Sequence, residues 1–138
     1  MIKAVICGSF RRDSHALRLL FTQLEECGVR ILAPLSIDFI DTTPEVVRTK
    51  TDENMDIATL ESLHLRAVRE ADFVWLHAPS GYVGLSGSFE VGYCKAKGIP
   101  VFSYELPSDE MLQTQVTQVN SIYAALALLR AGLHHAHN

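Results

Sequence analysis

The sequence predicts an α/β protein: a three-layer α/β/α sandwich around a mainly parallel sheet of roughly five strands. Three observations predict it. Short apolar runs alternate along the chain with longer segments of helical period, the pattern of repeated strand-to-helix crossovers. Several of those runs, such as FVWL and AVIC, are apolar at every position, as strands covered on both faces are. Glycines stand where a strand turns or a helix stops, at Gly8, Gly28 and Gly98. Together these describe a flavodoxin- or Rossmann-like arrangement.

Taken in order, Ile2 to Cys7 reads as the first strand, and Gly8-Ser9 as the turn after it. A helix follows from Asp13 to Cys27, with Ala16, Leu19, Leu20, Phe21 and Leu24 near helical spacing and Gly28 as its stop. Val29 to Ala33 is the second strand. From Pro34 to Asn54 two prolines, several threonines and mixed charge leave no period, which predicts an irregular connection with one short helix. Ile57, Leu60, Leu63, Ala67 and Val68 restore the helical period over Met55 to Glu70, and Phe73 to Leu76 is a buried strand. Gly87 to Lys97 is read as a helix stopped by Gly98, and Ile99 to Tyr104 as a strand with Pro100 at its tolerant first positions. A short helix after Pro107, a strand near Gln115 to Val119 and a last helix from Asn120 to about Ala131 complete the layers.

The 138 residues, 48% of them hydrophobic, suit one domain over residues 1–133, followed by a His-rich tail at 134–138 that is expected to be disordered. A net charge of −4 without a Lys/Arg cluster excludes general nucleic-acid binding and leaves room for one phosphate held by one or two arginines. Cys7, Cys27 and Cys94 are odd in number and widely spaced, so neither a disulfide framework nor a metal site is expected from them. No signal segment and no apolar run of about 20 residues is seen, and the expectation is a cytoplasmic protein without a membrane partner.

The stretch GLSGSFEVG, Gly84 to Gly92, places one carboxylate, Glu90, among small neighbours after a buried strand. In parallel sheets ligands sit beyond the carboxyl ends of the strands, and both this stretch and Gly8-Ser9 fall there. An acidic residue in the first turn of a helix also stabilises the helix dipole without any chemistry. Ser9, Ser86 and Ser88 are equally suited to capping helices.

Cys7 to Arg11, CGSFR, and Ser86 to Phe102, SGSFEVGYCKAKGIPVF, together resemble the nucleoside 2-deoxyribosyltransferase superfamily, including its 2′-deoxynucleoside 5′-phosphate N-hydrolases. The resemblance covers most of the chain in element order. It implies that Glu90 is the nucleophile attacking the anomeric carbon of a nucleoside or nucleotide, with no cofactor and no metal. It also implies that Gly8, Ser9, Arg11, Ser86, Gly87 and Ser88 contact phosphate or sugar. Where the family commonly carries a second catalytic aspartate this chain has His64, which can itself donate a proton near neutral pH; Glu61, one turn earlier, is the alternative. Gly84 stands where relatives carry Ser or Asp. Because pockets of this family are commonly completed by a neighbouring subunit, a homodimer or larger even assembly is expected, with the apolar helix from Ile122 to Leu133 as a packing face.

Two other functions stay open at this point. One is a noncatalytic nucleotide-binding module that keeps the pocket without the chemistry. The other is a phosphoribohydrolase resembling the cytokinin-activating family, echoed by Pro79-Ser80-Gly81-Tyr82 and Gly87-Ser88-Phe89-Glu90.

Overall fold

In the computed structural model, residues 1–36, 39–41, 48–49 and 54–132 are described. The first apolar run forms β1, Lys3–Gly8. Strand side chains alternate between faces, so Ala4 and Ile6 enter one core while Val5 and Cys7 enter another on the opposite face. Helix α1, Ser14–Glu26, starts at Asp13, whose carboxylate accepts from the Ala16 N–H at 3.1 Å. Its buried stripe is Leu17, Leu20 and Leu24. Leu19, expected on that stripe, is 48% exposed, because the true spacing of i, i+3 and i+7 runs through Leu17 instead. Strand β2 is Arg30–Ala33.

In the connection that follows, β3, Phe39–Asp41, and β4, Arg48–Thr49, pair antiparallel. The irregular segment expected over residues 34–54 is thus partly a two-stranded ribbon, and the short helix expected there falls partly outside the described residues. Helix α2, Ile57–Glu70, is capped by Asp56, which accepts from the Thr59 N–H at 2.7 Å. Strand β5, Phe73–His77, is buried throughout and sends Phe73 and Trp75 to one core, Val74 and Leu76 to the other. After a short 3₁₀ turn at Pro79–Gly81 comes α3, Gly84–Lys97, then β6, Val101–Ser103, α4, Glu110–Gln113, β7, Thr117–Gln118, and α5, Ile122–Ala131.

The main sheet is parallel throughout, in the order β2-β1-β5-β6-β7. Helices α1 and α5 cover one face with Leu17, Leu20, Leu24, Ile122, Ala125 and Leu126, while α2 and α3 cover the other with Val68, Val91 and Cys94. This is the three-layer sandwich that the periodicity predicts. Its strand order reverses between β1 and β5, which opens a crevice between the loops that leave those strands toward opposite faces. The apolar face of α5 is spent on the protein's own core, leaving Tyr123, 72% exposed, as its outward aromatic. The expected tail at 134–138, and Leu133 at the end of the expected helix and domain, lie outside the described residues.

The crevice narrows to a contact between two glycines. Gly8 ends β1 at φ +118°, paired with His77, and a β-carbon there would stand 2.2 Å from the His77 carbonyl oxygen. Gly87 lies on the inner face of α3, where a β-carbon would meet Val83 Cγ1 at 2.8 Å and Gly8 Cα at 3.3 Å. Only a residue without a side chain lets this helix sit directly on the strand end. Helix α3 begins at Gly84, three residues earlier than the sequence predicts, which puts Gly87 within the helix on the face that meets Gly8.

Gly8→Ala is expected to lower the unfolding free energy by more than about 2 kcal/mol in urea titrations, through both backbone strain and a backbone clash. Gly92→Ala, in the exposed middle of α3 with open space around it, is expected to raise it by about 0.5–1 kcal/mol.

Candidate active site

The buried stripe of α3 consists of Gly87, Glu90, Val91 and Cys94. Glu90 is a carboxylate in a row that otherwise packs a core, and an unpaired charge there would be costly. Its partner is His64 on α2, whose Nε2 lies 3.5 Å from Glu90 Oε1, with the two side chains 17% and 8% exposed respectively. The same Nε2 lies 3.3 Å from Cys7 Sγ, the last buried side chain of β1 on this face. Glu61 stands three residues before His64 on α2, the spacing that shares a helix face. Its Oε1 is buried and has no hydrogen-bond partner among the described residues.

These groups set one another's protonation. Burial alone would raise the Glu90 carboxyl, but the hydrogen bond and charge of His64 outweigh it and hold Glu90 below the ordinary carboxylate range. Burial likewise works against imidazolium at His64, yet Glu90 and then Glu61 overcome it, and its pKa is raised. For Glu61 burial and the nearby Glu90 charge act together, raising its pKa to about 7. Burial, followed by the Glu90 charge, pushes the Cys7 thiol well up and the Cys94 thiol to about 12. At neutral pH the cluster therefore holds an ionised Glu90, a His64 biased toward imidazolium, two neutral thiols and a Glu61 poised between its two forms.

A cavity of about 320 Å³ lies over this cluster at the carboxyl ends of β1 and β5, within the roughly 300–1,000 Å³ of small-molecule sites. Gly8, Ser9, Arg11, Ser86, Gly87, Glu90 and His64 all line it. Seven of the eight residues expected at the site are thus brought together. Ser88 is the exception: its hydroxyl donates to the Gly84 carbonyl one turn back at 2.7 Å, and it does not line the cavity. With Gly84 as its first residue, α3 reaches Glu90 near the end of its second turn, so the helix dipole, which acts within the first turn, is not what keeps this carboxylate ionised. His64 does that.

Glu61, Phe10 and Tyr82 line the cavity as well. The Arg12 guanidinium stacks 3.7 Å from the centre of the Tyr82 ring, tying the loop after β1 to the loop after β5. Cys7 and Tyr82 are the residues that sequence reasoning missed. Strand alternation from Val5 carries a signal for Cys7; for Tyr82 nothing in the sequence announces the stack. His77, near the site in sequence, instead bonds through Nε2 to the Arg12 carbonyl at 2.8 Å and is packed. Asp72 accepts from the Lys3 N–H at 2.8 Å at the far end of the sheet, a structural contact.

No family model and no curated protein sequence matches the chain. Among solved structures it is similar to the CMP N-glycosidase BcmB of Clostridium botulinum, at a TM-score of 0.56 and 17% identity, over 94% of this chain and 98% of that one. The likeness extends over the whole α/β sandwich and establishes the fold.

The mutual dependence of His64 and Glu90 predicts a measurable shift. In imidazole nitrogen NMR His64 should titrate above its ordinary 6.5, and in Glu90→Gln it should titrate lower than in the unaltered protein, because burial then loses its main opponent. An unmoved His64 would separate the two groups.

Proposed function

We propose that the protein cleaves the N-glycosidic bond of a nucleoside 5′-monophosphate or nucleoside through Glu90, by hydrolysis or base exchange. One observation carries the reading: a buried carboxylate, Glu90, paired with His64 at 3.5 Å at the base of a cavity that a second carboxyl, Glu61, also lines; the His64 pairing favours the ionised Glu90, and burial beside Glu90 raises Glu61 to about 7. The fold likeness to a CMP N-glycosidase over 94% of the chain and the CGSFR and SGSFEVG motifs support it.

In this reading a Glu90 oxygen attacks the anomeric carbon as the C–N bond to the base breaks, and the transition state resembles an oxocarbenium ion that the carboxylate stabilises before bonding. The departing base takes a proton from Glu61, which suits the task because its proton is retained up to about pH 7. Water, or a second base, then attacks the same carbon, gives its proton to Glu61 and frees Glu90. His64 keeps Glu90 ionised and placed. Donation to the base falls to Glu61, which borders the cavity with an unpartnered Oε1, whereas the His64 Nε2 faces Glu90 and Cys7. A 5′-phosphate suits Ser9, Arg11, Ser86 and the first N–H groups of α3, whose cap residue Val83 makes no side-chain capping bond.

Incubation with a panel of ribo- and deoxyribonucleosides and their 5′-monophosphates, with free base followed by chromatography, tests the reading. Release by the unaltered protein should fall on the order of 10³-fold or more in Glu90→Gln. In Glu61→Gln the loss should be about 10²–10⁴-fold. Because Glu61 must be protonated and Glu90 ionised, the rate should decline as pH rises through about 7 and again as it falls through the lowered Glu90 pKa. Equal release by wild type and Glu90→Gln would remove the nucleophile, and nucleotide binding with no release would leave a binding module.

Leu35, Ile57, Leu63 and Leu85 line the cavity while exposed to solvent, an apolar rim suited to a second copy that completes the pocket. Sedimentation at micromolar concentration should give a dimer or larger even assembly; monomer alone would count against it.

A further inference from the structure

Three donors of different chemistry meet beneath the cavity. Cys7 Sγ is 3.3 Å and Glu90 Oε1 is 3.5 Å from His64 Nε2, and the three residues' ligand atoms all lie within 4.8 Å of one another. In a tetrahedral zinc site, with Zn–S at about 2.3 Å and Zn–N or Zn–O at about 2.0–2.1 Å, neighbouring ligand atoms stand about 3.3–3.6 Å apart. The two short separations match that spacing before any ion is bound. They are also fixed by the fold, since the donors come from β1, α2 and α3, with Cys7 and Glu90 buried and His64 half-buried.

A second feature points the same way. His64 Nε2 faces both a thiol and a carboxylate, and that thiol and carboxylate also bond each other, so the three donors converge on one point. A cation between them is served by all three donors at once. Sulfur and imidazole favour zinc-class ions over magnesium or calcium. His64 and Glu90 line the cavity, which gives an ion its entry path, and Glu61, with its unpartnered Oε1, borders the same space.

We propose that Cys7, His64 and Glu90 form a binding site for a zinc-class divalent cation, and that occupancy switches off the nucleophile. The binding half stands on geometry alone; the switch rests on the Glu90 reading given above. Coordination replaces the proton on Cys7 Sγ and any proton on His64 Nε2, both released to solvent, and converts Glu90 from a nucleophile into a ligand. No electron transfer is involved.

The test uses the full chain with His134, His135 and His137 replaced by Ala, so that the tail does not compete for metal. Titration with cobalt chloride should saturate at one equivalent and develop a sulfur-to-cobalt charge-transfer band, which zinc chloride then displaces. The band should survive Cys27→Ala and Cys94→Ala and vanish in Cys7→Ala. Should Cys7→Ala fail to fold, His64→Ala serves instead: calorimetric zinc affinity should fall by more than about 100-fold, beyond the 10–100-fold that loss of a merely orienting neighbour costs. Absence of the band at saturation, or its persistence in Cys7→Ala, would overturn the site, as would unchanged zinc affinity in His64→Ala. In the base-release assay one equivalent of zinc should abolish turnover and a chelator restore it. Turnover that persists with zinc bound overturns the switch and leaves the site standing. A protein that releases no base defeats the glycosidase reading and with it the switch, while the cobalt band still judges the site.

Discussion

Glu90 stands on the stripe of α3 that also carries Gly87, Val91 and Cys94, and desolvating a carboxylate there costs several kcal/mol unless a partner offsets it. The offset is His64, 3.5 Å away on a different helix, whose imidazolium form Glu90 favours. Helices α2 and α3 are therefore tied by more than apolar packing. Separating them would leave two buried groups of opposite charge each without its partner. The same pairing decides what the carboxylate can do, since it keeps Glu90 ionised where burial alone would favour the neutral acid. Packing and protonation draw on one contact.

That contact exists because α3 approaches the sheet so closely. Gly8 and Gly87 meet at the end of β1, with a virtual β-carbon on Gly87 only 3.3 Å from Gly8 Cα, so a side chain at Gly87 would lift the helix from the strand, while one at Gly8 would collide with the His77 backbone of β5. Raising it would carry Glu90 away from both His64 and Cys7. The strand order places this meeting at the point where the connections from β1 and β5 diverge, which is where a doubly wound sheet leaves a crevice. Topology supplies the opening, and the two glycines bring the carboxylate into it.

How much of this the sequence could reveal follows from which interactions are local. Strand runs and helical periods are local, and β1, α1, α2, β5 and β6 all lie where the apolar pattern puts them. Turn glycines and the acid in GLSGSFEVG are local as well, so Glu90 and Gly8 were legible. The start of α3 was not, nor was the meeting of Gly87 with Gly8 across 79 positions of chain. Ser88 likewise looked like a ligand contact when its hydroxyl closes a bond within its own helix. The wide spacing of the cysteines argued against a metal site, yet folding brings Cys7 beside His64 and Glu90 from three different elements. Spacing in sequence carries information only for ligands that share an element or a turn.

A histidine at position 64 also redistributes roles within the proposed reaction. An aspartate there would add a second anion beside Glu90, and two neighbouring carboxylates resist joint ionisation, so one of that pair would hold the proton. The imidazolium reverses this. It favours ionised Glu90 and leaves Glu61, one turn earlier and still raised to about 7, as the carboxyl that keeps a proton in the proposed reaction. The acid function thus moves one turn along α2 without leaving the cavity. The histidine also brings a nitrogen donor within 3.3 Å of a thiol, which an aspartate in its place would not supply. Histidine at this position thus bears both on the proposed division of labour between two glutamates and on the mixed sulfur, nitrogen and oxygen cluster beneath them.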